Sequence, residues 1–282
     1  MTSAVEYDSE TGRVDHAAGF RSLVVALDLE ATGDRALAVA RALAERGGIG
    51  VELLTVSSPG VGEDVDTYEL SRRGKANGWP ADSCVVAHDN QPAKAIVEHV
   101  ARRPGALLVM ATSAKAPLAG HLLGSVSEAV LGVIDRPVLL VGPHVLDDFA
   151  IGEPTLIVCL DRTNAAEAAI PVVAAWDRTF GGTEPWVTEV LPRGEAARRG
   201  PDPSSHVRHF ARQLRQLDVV ASWGLLHGAD PAGRLQGFAN SLTDPFFVAT
   251  SARLTDGRLH WRSTTRELIA RSTRPVLVVP AK

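Results

Sequence analysis

Residues 110–142, MATSAKAPLAGHLLGSVSEAVLGVIDRPVLLVG, decide how the rest of the chain is read. The segment starts on the end of an apolar strand, crosses a long loop, predicts a helix opening on Gly124-Ser125-Val126-Ser127, and closes on a short strand over 137–141. It occurs twice. Ala111-Thr112-Ser113-Ala114-Lys115 returns as Ala249-Thr250-Ser251-Ala252-Arg253, and Arg136-Pro137-Val138-Leu139 returns as Arg274-Pro275-Val276-Leu277, both 138 positions on. Blocks that keep one register mark a duplicated unit. A third echo sets His88-Asp89-Asn90-Gln91-Pro92-Ala93 against His227-Gly228-Ala229-Asp230-Pro231-Ala232, 139 apart, which places a one-residue gap between it and the Ala-Thr-Ser block.

Working outward, the run Leu23-Val24-Val25-Ala26-Leu27-Asp28 reads as a strand buried on both faces and ending in a carboxylate. Ala36, Val39, Ala40 and Leu43 then recur at helical spacing. Further strands are predicted at 51–56, 84–88 and 106–110, separated by helices at 63–77, which Gly74 interrupts, and from Pro92, which suits a first helical turn. This alternation predicts an α/β fold of two tandem doubly wound, Rossmann-like domains. Each is expected to be a five-stranded parallel sheet of order 3-2-1-4-5 flanked by helices, with its own core. The expected division is a tail over 1–19, a first domain over 20–143, a linker over 144–153 and a second domain over 154–282. In the second, strands at 156–161 and 186–191 flank a helix at 165–176 that Pro171 bends or shortens, and a Pro/Gly/Arg-rich insertion spans 193–203. The last strands, Val138 to Val141 and Val276 to Val279, each leave an edge that invites pairing. They are expected to join antiparallel into an intramolecular pseudo-dimer, with a further homodimer open.

Composition removes several function classes. A net charge of −4, with basic residues scattered and only five Trp, two Tyr and seven Phe, gives no nucleic-acid face. The polar, acidic start lacks a signal-peptide pattern, and no apolar run nears the roughly 20 residues that span a bilayer, so no membrane partner and a cytoplasmic location are expected. Cys84 and Cys159 lie in strand-like runs without ligand spacing and read as buried structural thiols. His206 and His209 sit one helical turn apart without a third ligand, and His88 and His227 lack a partner nucleophile, so neither metal nor catalytic residues are expected. There is no G-x-S-x-G elbow and no Walker lysine, so the chain is not expected to be an enzyme beyond weak ATP hydrolysis.

In an open parallel sheet a ligand sits outside the carboxyl ends of the strands, where their order reverses. That brings Asp28 next to Ala111 and its long loop. At the far end of the loop, the free amides of Gly124 to Ser127 and the helix dipole form an anion site, to which Ser125 and Ser127 add hydroxyls.

On these residues both halves resemble the universal stress proteins in tandem form. That family binds ATP or AMP through a motif written G, two residues, G, nine residues, G, then S or T. The resemblance implies that Gly124-Ser125, followed by Val126-Ser127, receives the phosphates; whether magnesium takes part is left open. It places Asp28 near the base, Val56 and Met110 beside it, and Ala111 and Ala114 where the earlier glycines would be. In the second half Asp161 and Val190 match, while Ala249, Ala252, Arg262 and Ser263 replace the motif, so that site is expected to be empty. The implied function is a stress-response regulator holding an adenine nucleotide in its first half. The alternative is a ligand-free scaffold working through a protein partner that the sequence does not identify.

Overall fold

The computed structural model describes residues 19–29, 33–60, 63–112, 124–161, 164–192, 202–253, 259–260 and 263–281. The first half runs β1 (Ser22–Leu27), α1 (Asp34–Gly47), β2 (Gly50–Ser57), α2 (Glu63–Ala76), β3 (Cys84–His88), α3 (Pro92–Ala101), β4 (Ala106–Ala111), α4 (Ser125–Val133) and β5 (Val138–Val141). The second runs β6 (Thr155–Leu160), α5 (Ala169–Phe180), β7 (Trp186–Leu191), α6 (Ser205–Arg215), β8 (Ser222–His227), α7 (Pro231–Ala239), β9 (Pro245–Arg253), the short β10 (Leu259–His260), α8 (Ser263–Arg271) and β11 (Val276–Ala281). Residues 23–27 of β1 are all buried, as expected of a central parallel strand whose two faces both carry helices.

Within each half the strands are parallel and the order is 3-2-1-4-5, as β3-β2-β1-β4-β5 and β8-β7-β6-β9-β11. The two-residue β10 adds an antiparallel step on β9 that no periodicity signals. As expected of the two last strands, β5 and β11 pair antiparallel, and this pairing joins both halves into one 11-stranded sheet. Val138 faces Val278, Leu139 faces Leu277 and Leu140 faces Val276. Leu139 and Leu277 differ by the repeat interval, so a pseudo-twofold axis passes through that pair.

A consequence is that the halves do not keep separate cores. One buried layer contains Leu43, Leu139, Trp176 and Leu277, and the layer on the opposite face contains Met110, Leu140, Leu268 and Val278. Pairing the two edge strands lets the flanking helices pack onto a continuous surface. Across the seam Phe20 stacks on Phe180 at 6.1 Å, the Phe20 amide donates to Thr179 Oγ1 at 2.7 Å, and Arg46 Nε donates to the Phe180 carbonyl at 2.7 Å. Glu128 on α4 and Arg266 on α8 are also 138 apart in sequence, and they meet as an ion pair at 3.5 Å. The duplicated position has thus become complementary in charge at the seam.

Sheet register also corrects the alignment of the repeats. With the strand-end acids Asp28 and Asp161 as equivalents, Ala26 matches Cys159; these pair with Met110 and Ala249 respectively. Met110 therefore corresponds to Ala249, and Ala111 to Thr250. The one-residue gap lies after β4 rather than before it. Residue identity in the Ala-Thr-Ser block had suggested the other placement, but backbone pairing decides which side chain faces which layer.

Three local expectations change as well. Helix α2 continues through Gly74, where a Cβ would lie 2.8 Å from Cys84 Sγ, so the glycine makes room for strand β3 rather than ending the helix. The helix predicted at 165–176 begins as a 3-10 turn over Asn164–Ala168 and becomes α5 only at Ala169. Pro171 then falls in its first turn, where the missing amide costs no hydrogen bond. Cys84 and Cys159 are unbridged but half-buried rather than fully buried.

Candidate functional site

The strand order reverses between β1 and β4, and a cavity of about 240 Å³ opens at their carboxyl ends. Asp28, Val56, Met110, Ala111, Gly124, Ser125, Val126 and Ser127 line it. These residues come from four stretches of the sequence, and the crossovers bring them to one crevice. Ala114, with the remainder of the loop at 113–123, lies outside the described residues. Gly33, Pro92 and Ile96 also line the cavity, and the sequence reading did not name them as candidates. Pro92 and Ile96 were legible only as helix residues, since their aim depends on how α3 packs.

Gly124 caps α4 with φ 80° and ψ 144°, a region that side-chain-bearing residues avoid, and its carbonyl accepts from the Glu128 amide at 3.1 Å. This turn lets the chain enter the helix with the first amides of α4 facing the cavity, where they lack intrahelical acceptors and carry the positive end of the dipole. Ser125 is exposed at the mouth, whereas Ser127 is buried. Ala111 stands where the motif has its first glycine. It is the last residue of β4, pairs with Val141 and is not among the described residues of positive φ, so its methyl group brings no backbone strain.

The rim that carries Asp28 is fixed from α2. Arg73 donates to the Leu29 carbonyl, to Asp34 Oδ1 at 3.1 Å and to Glu69 Oε1 at 2.9 Å. Leu29 has a φ of 57°, and the Arg73 hydrogen bond to its carbonyl helps to hold that left-handed conformation. Hydrogen bonds from Arg72 and then Arg73 draw the Glu69 carboxyl down to a pKa of about 2. The acidic-then-basic run of α2 was visible in the sequence, but nothing there pointed Arg73 at the β1 loop.

In the second half Asp161 and Val190 line a corresponding cavity of about 310 Å³ with Ala249. Arg262 lies outside the described residues, as do the side chains of Ala252 in β9 and Ser263 in α8. His206 Nδ1 stands 3.6 Å from Glu189 Oε2, and His209 is exposed on the same helix. His88 and His227 sit exposed at equivalent strand ends. Among the described residues no three His, Cys, Asp or Glu side chains gather as a metal site. No described helix is long and apolar enough to cross a membrane.

Comparison with known proteins agrees with the architecture. The model of the universal stress protein family matches residues 19–142. A universal stress protein from Archaeoglobus fulgidus DSM 4304 is similar in structure with a TM-score of 0.65 at 17% identity, covering 92% of this chain and 98% of its own. A protein of unknown function from Pseudomonas aeruginosa PAO1 superposes with a TM-score of 0.61 at 17% identity, covering 94% of both chains. A universal stress protein in complex with cAMP aligns with 44% of this chain and 98% of its own, at 26% identity and a TM-score of 0.37. No curated protein sequence matches the chain.

Proposed function

Since the chain belongs, through residues 19–142, to the universal stress protein family, we propose that it is a stress-response regulator whose first cavity holds AMP or ATP without strong catalysis. The observation that carries this reading is the meeting of Asp28 with the Gly124 to Ser127 turn in one cavity. Asp28 accepts from the exocyclic amine of the base. Val56, Met110 and Ile96 give its ring an apolar floor, and the amides of α4 receive the phosphate nearest the ribose. At about 240 Å³ the cavity is smaller than the roughly 300–1,000 Å³ usual for ligand pockets, which suits one base and ribose with the phosphates reaching toward α4. The lining offers no activated nucleophile and no lysine or arginine for phosphoryl transfer among the described residues. Occupancy then acts by changing the loop from Ala111 to Leu123.

A second reading, a scaffold that works through a protein partner, draws on Ala111, whose methyl takes space a motif glycine would leave to the ligand. The two separate in one experiment. Native mass spectrometry of freshly purified protein, followed by calorimetric titration with AMP and ATP, gives one nucleotide per chain under the first reading, weakened at least tenfold by Asp28→Asn. Absence of both carried-over and titratable nucleotide at millimolar concentration leaves the scaffold.

A further inference from the structure

The sheet ends on β8, which among the described residues pairs with β7 alone. The amides of Ser222 and Gly228 donate to the Pro185 and Leu191 carbonyls, so the even-numbered residues turn their backbone groups toward β7. Trp223, Leu225 and His227, on the alternate steps, turn theirs outward. Such an edge is a template for another strand unless charge, Pro, a bulge or a covering element blunts it. Ser222–His227 reads SWGLLH and carries no Lys, Arg, Asp, Glu or Pro. Trp223 is 44% exposed there, and Val220, just before the strand, 60%.

What this edge accepts follows from the groups that flank it. Glu184 is exposed beside its start and accepts from Ser222 Oγ at 3.0 Å. Arg234 of α7 is exposed beside its end and lies over Gly228, where a Cβ would fall 2.6 Å from the arginine Cγ. A second copy that meets β8 about a twofold axis runs antiparallel to it. Only with Leu225 on the axis do all three outward residues face outward residues: Trp223 lies opposite His227, Leu225 opposite itself, and each pair exchanges both backbone hydrogen bonds. The same register sets Ser222 opposite Gly228, so Glu184 of each copy meets Arg234 of the other. Leu225 packs in the layer under α5 and α6, which puts Trp223 and His227 on that side, where the imidazole of one copy covers the indole of the other. The other outer strand, β3, lacks this match. Repeat equivalence puts Cys84 at the Trp223 position, Gly50 at that of Glu184 and Ala95 at that of Arg234.

We propose that β8 is the interface of a twofold homodimer, in which two copies pair antiparallel about Leu225 and join their sheets end to end. The seam between β5 and β11 already uses antiparallel pairing of two uncharged edge strands within the chain. The dimer does not depend on whether the first cavity holds a nucleotide.

The test is sedimentation equilibrium of the full chain over a range of concentrations. Wild type dimerises with a dissociation constant on the order of 10 µM or tighter. Trp223→Lys places a charge on the edge and weakens the dimer about tenfold or more. Glu184→Arg sets cations against each other at both ends of the interface and weakens it about fivefold or more. Adding Arg234→Glu to that variant restores the affinity to within about threefold of wild type. The charge variants alter exposed side chains only, so they cover the case in which the lysine variant folds poorly. A chain that stays monomeric at about 200 µM, a dimer indifferent to either single variant, or a double swap no tighter than Glu184→Arg alone overturns the proposal. So does growth past the dimer, which head-to-tail pairing of β8 with β3 would give.

Discussion

Replacing Gly124 by Ala tests the turn on which the first cavity depends. The residue sits at φ 80° and ψ 144°, where an L side chain is strained by about 1–3 kcal/mol. The strained variant has two outlets. If the turn is kept, the whole cost appears as stability, lowering the thermal midpoint by roughly 2–4 °C for each kcal/mol in a chain of this size. If the turn relaxes to negative φ, stability recovers but the first amides of α4 rotate away from the crevice. Nucleotide affinity then falls by about fivefold to 150-fold, since about 1.4 kcal/mol is a factor of ten. Urea titration and calorimetry on the same preparation read both outlets, and their sum is the strain. A variant that loses neither stability nor AMP affinity refutes the reasoning, because the turn would then not need a glycine and its amides would not hold the phosphate.

Other consequences are independent of that turn. Gly142 follows β5 at the seam, and a Cβ there would fall 2.2 Å from the Ile269 carbonyl oxygen of α8, so Gly142→Ala forces the halves apart locally and costs about 1–3 kcal/mol in urea titration. Charge reversal by Glu128→Arg sets two cations against each other across the pseudo-twofold axis; adding Arg266→Glu restores the pairing, and a double-mutant cycle gives a coupling of about 0.2–1 kcal/mol. The Glu69 carboxyl is held below its ordinary 4.5 at about 2, so its contribution is fully present above about 4.5 and lost as pH falls toward 2. Glu69→Gln flattens the pH dependence of the urea midpoint over that window, and a wild-type slope retained by the variant contradicts the assignment.

The order of the strands and the pairing of the last two were open to sequence reasoning for a physical reason. A parallel strand covered on both faces must be apolar throughout, so β1, β4 and β5 announce themselves as continuous runs in Leu23 to Leu27, Ala106 to Met110 and Val138 to Val141. Crossovers of one hand then leave few topologies. The repeat interval of 138 added that one sheet edge would exist in duplicate. Asp28 and Gly124 to Ser127 were legible because strand-end acids and helix-opening glycines are local signals.

What only the tertiary structure decided concerns distance in the chain and register across it. Sequence identity matched Ala111 with Ala249, whereas backbone pairing matches Met110 with Ala249, so that an alanine lines the second cavity where a methionine lines the first. Arg73 reaches Leu29 and Asp34 from a helix about forty positions away, a contact that no local pattern encodes. Separate cores became shared layers because β5 and β11 bury their edges against each other. Local patterns follow from the covalent order of residues, and so they can be read in the sequence. Which residues face one another depends on how strands far apart in the chain align, and hydrogen bonding between them settles that alignment only when the sheet forms.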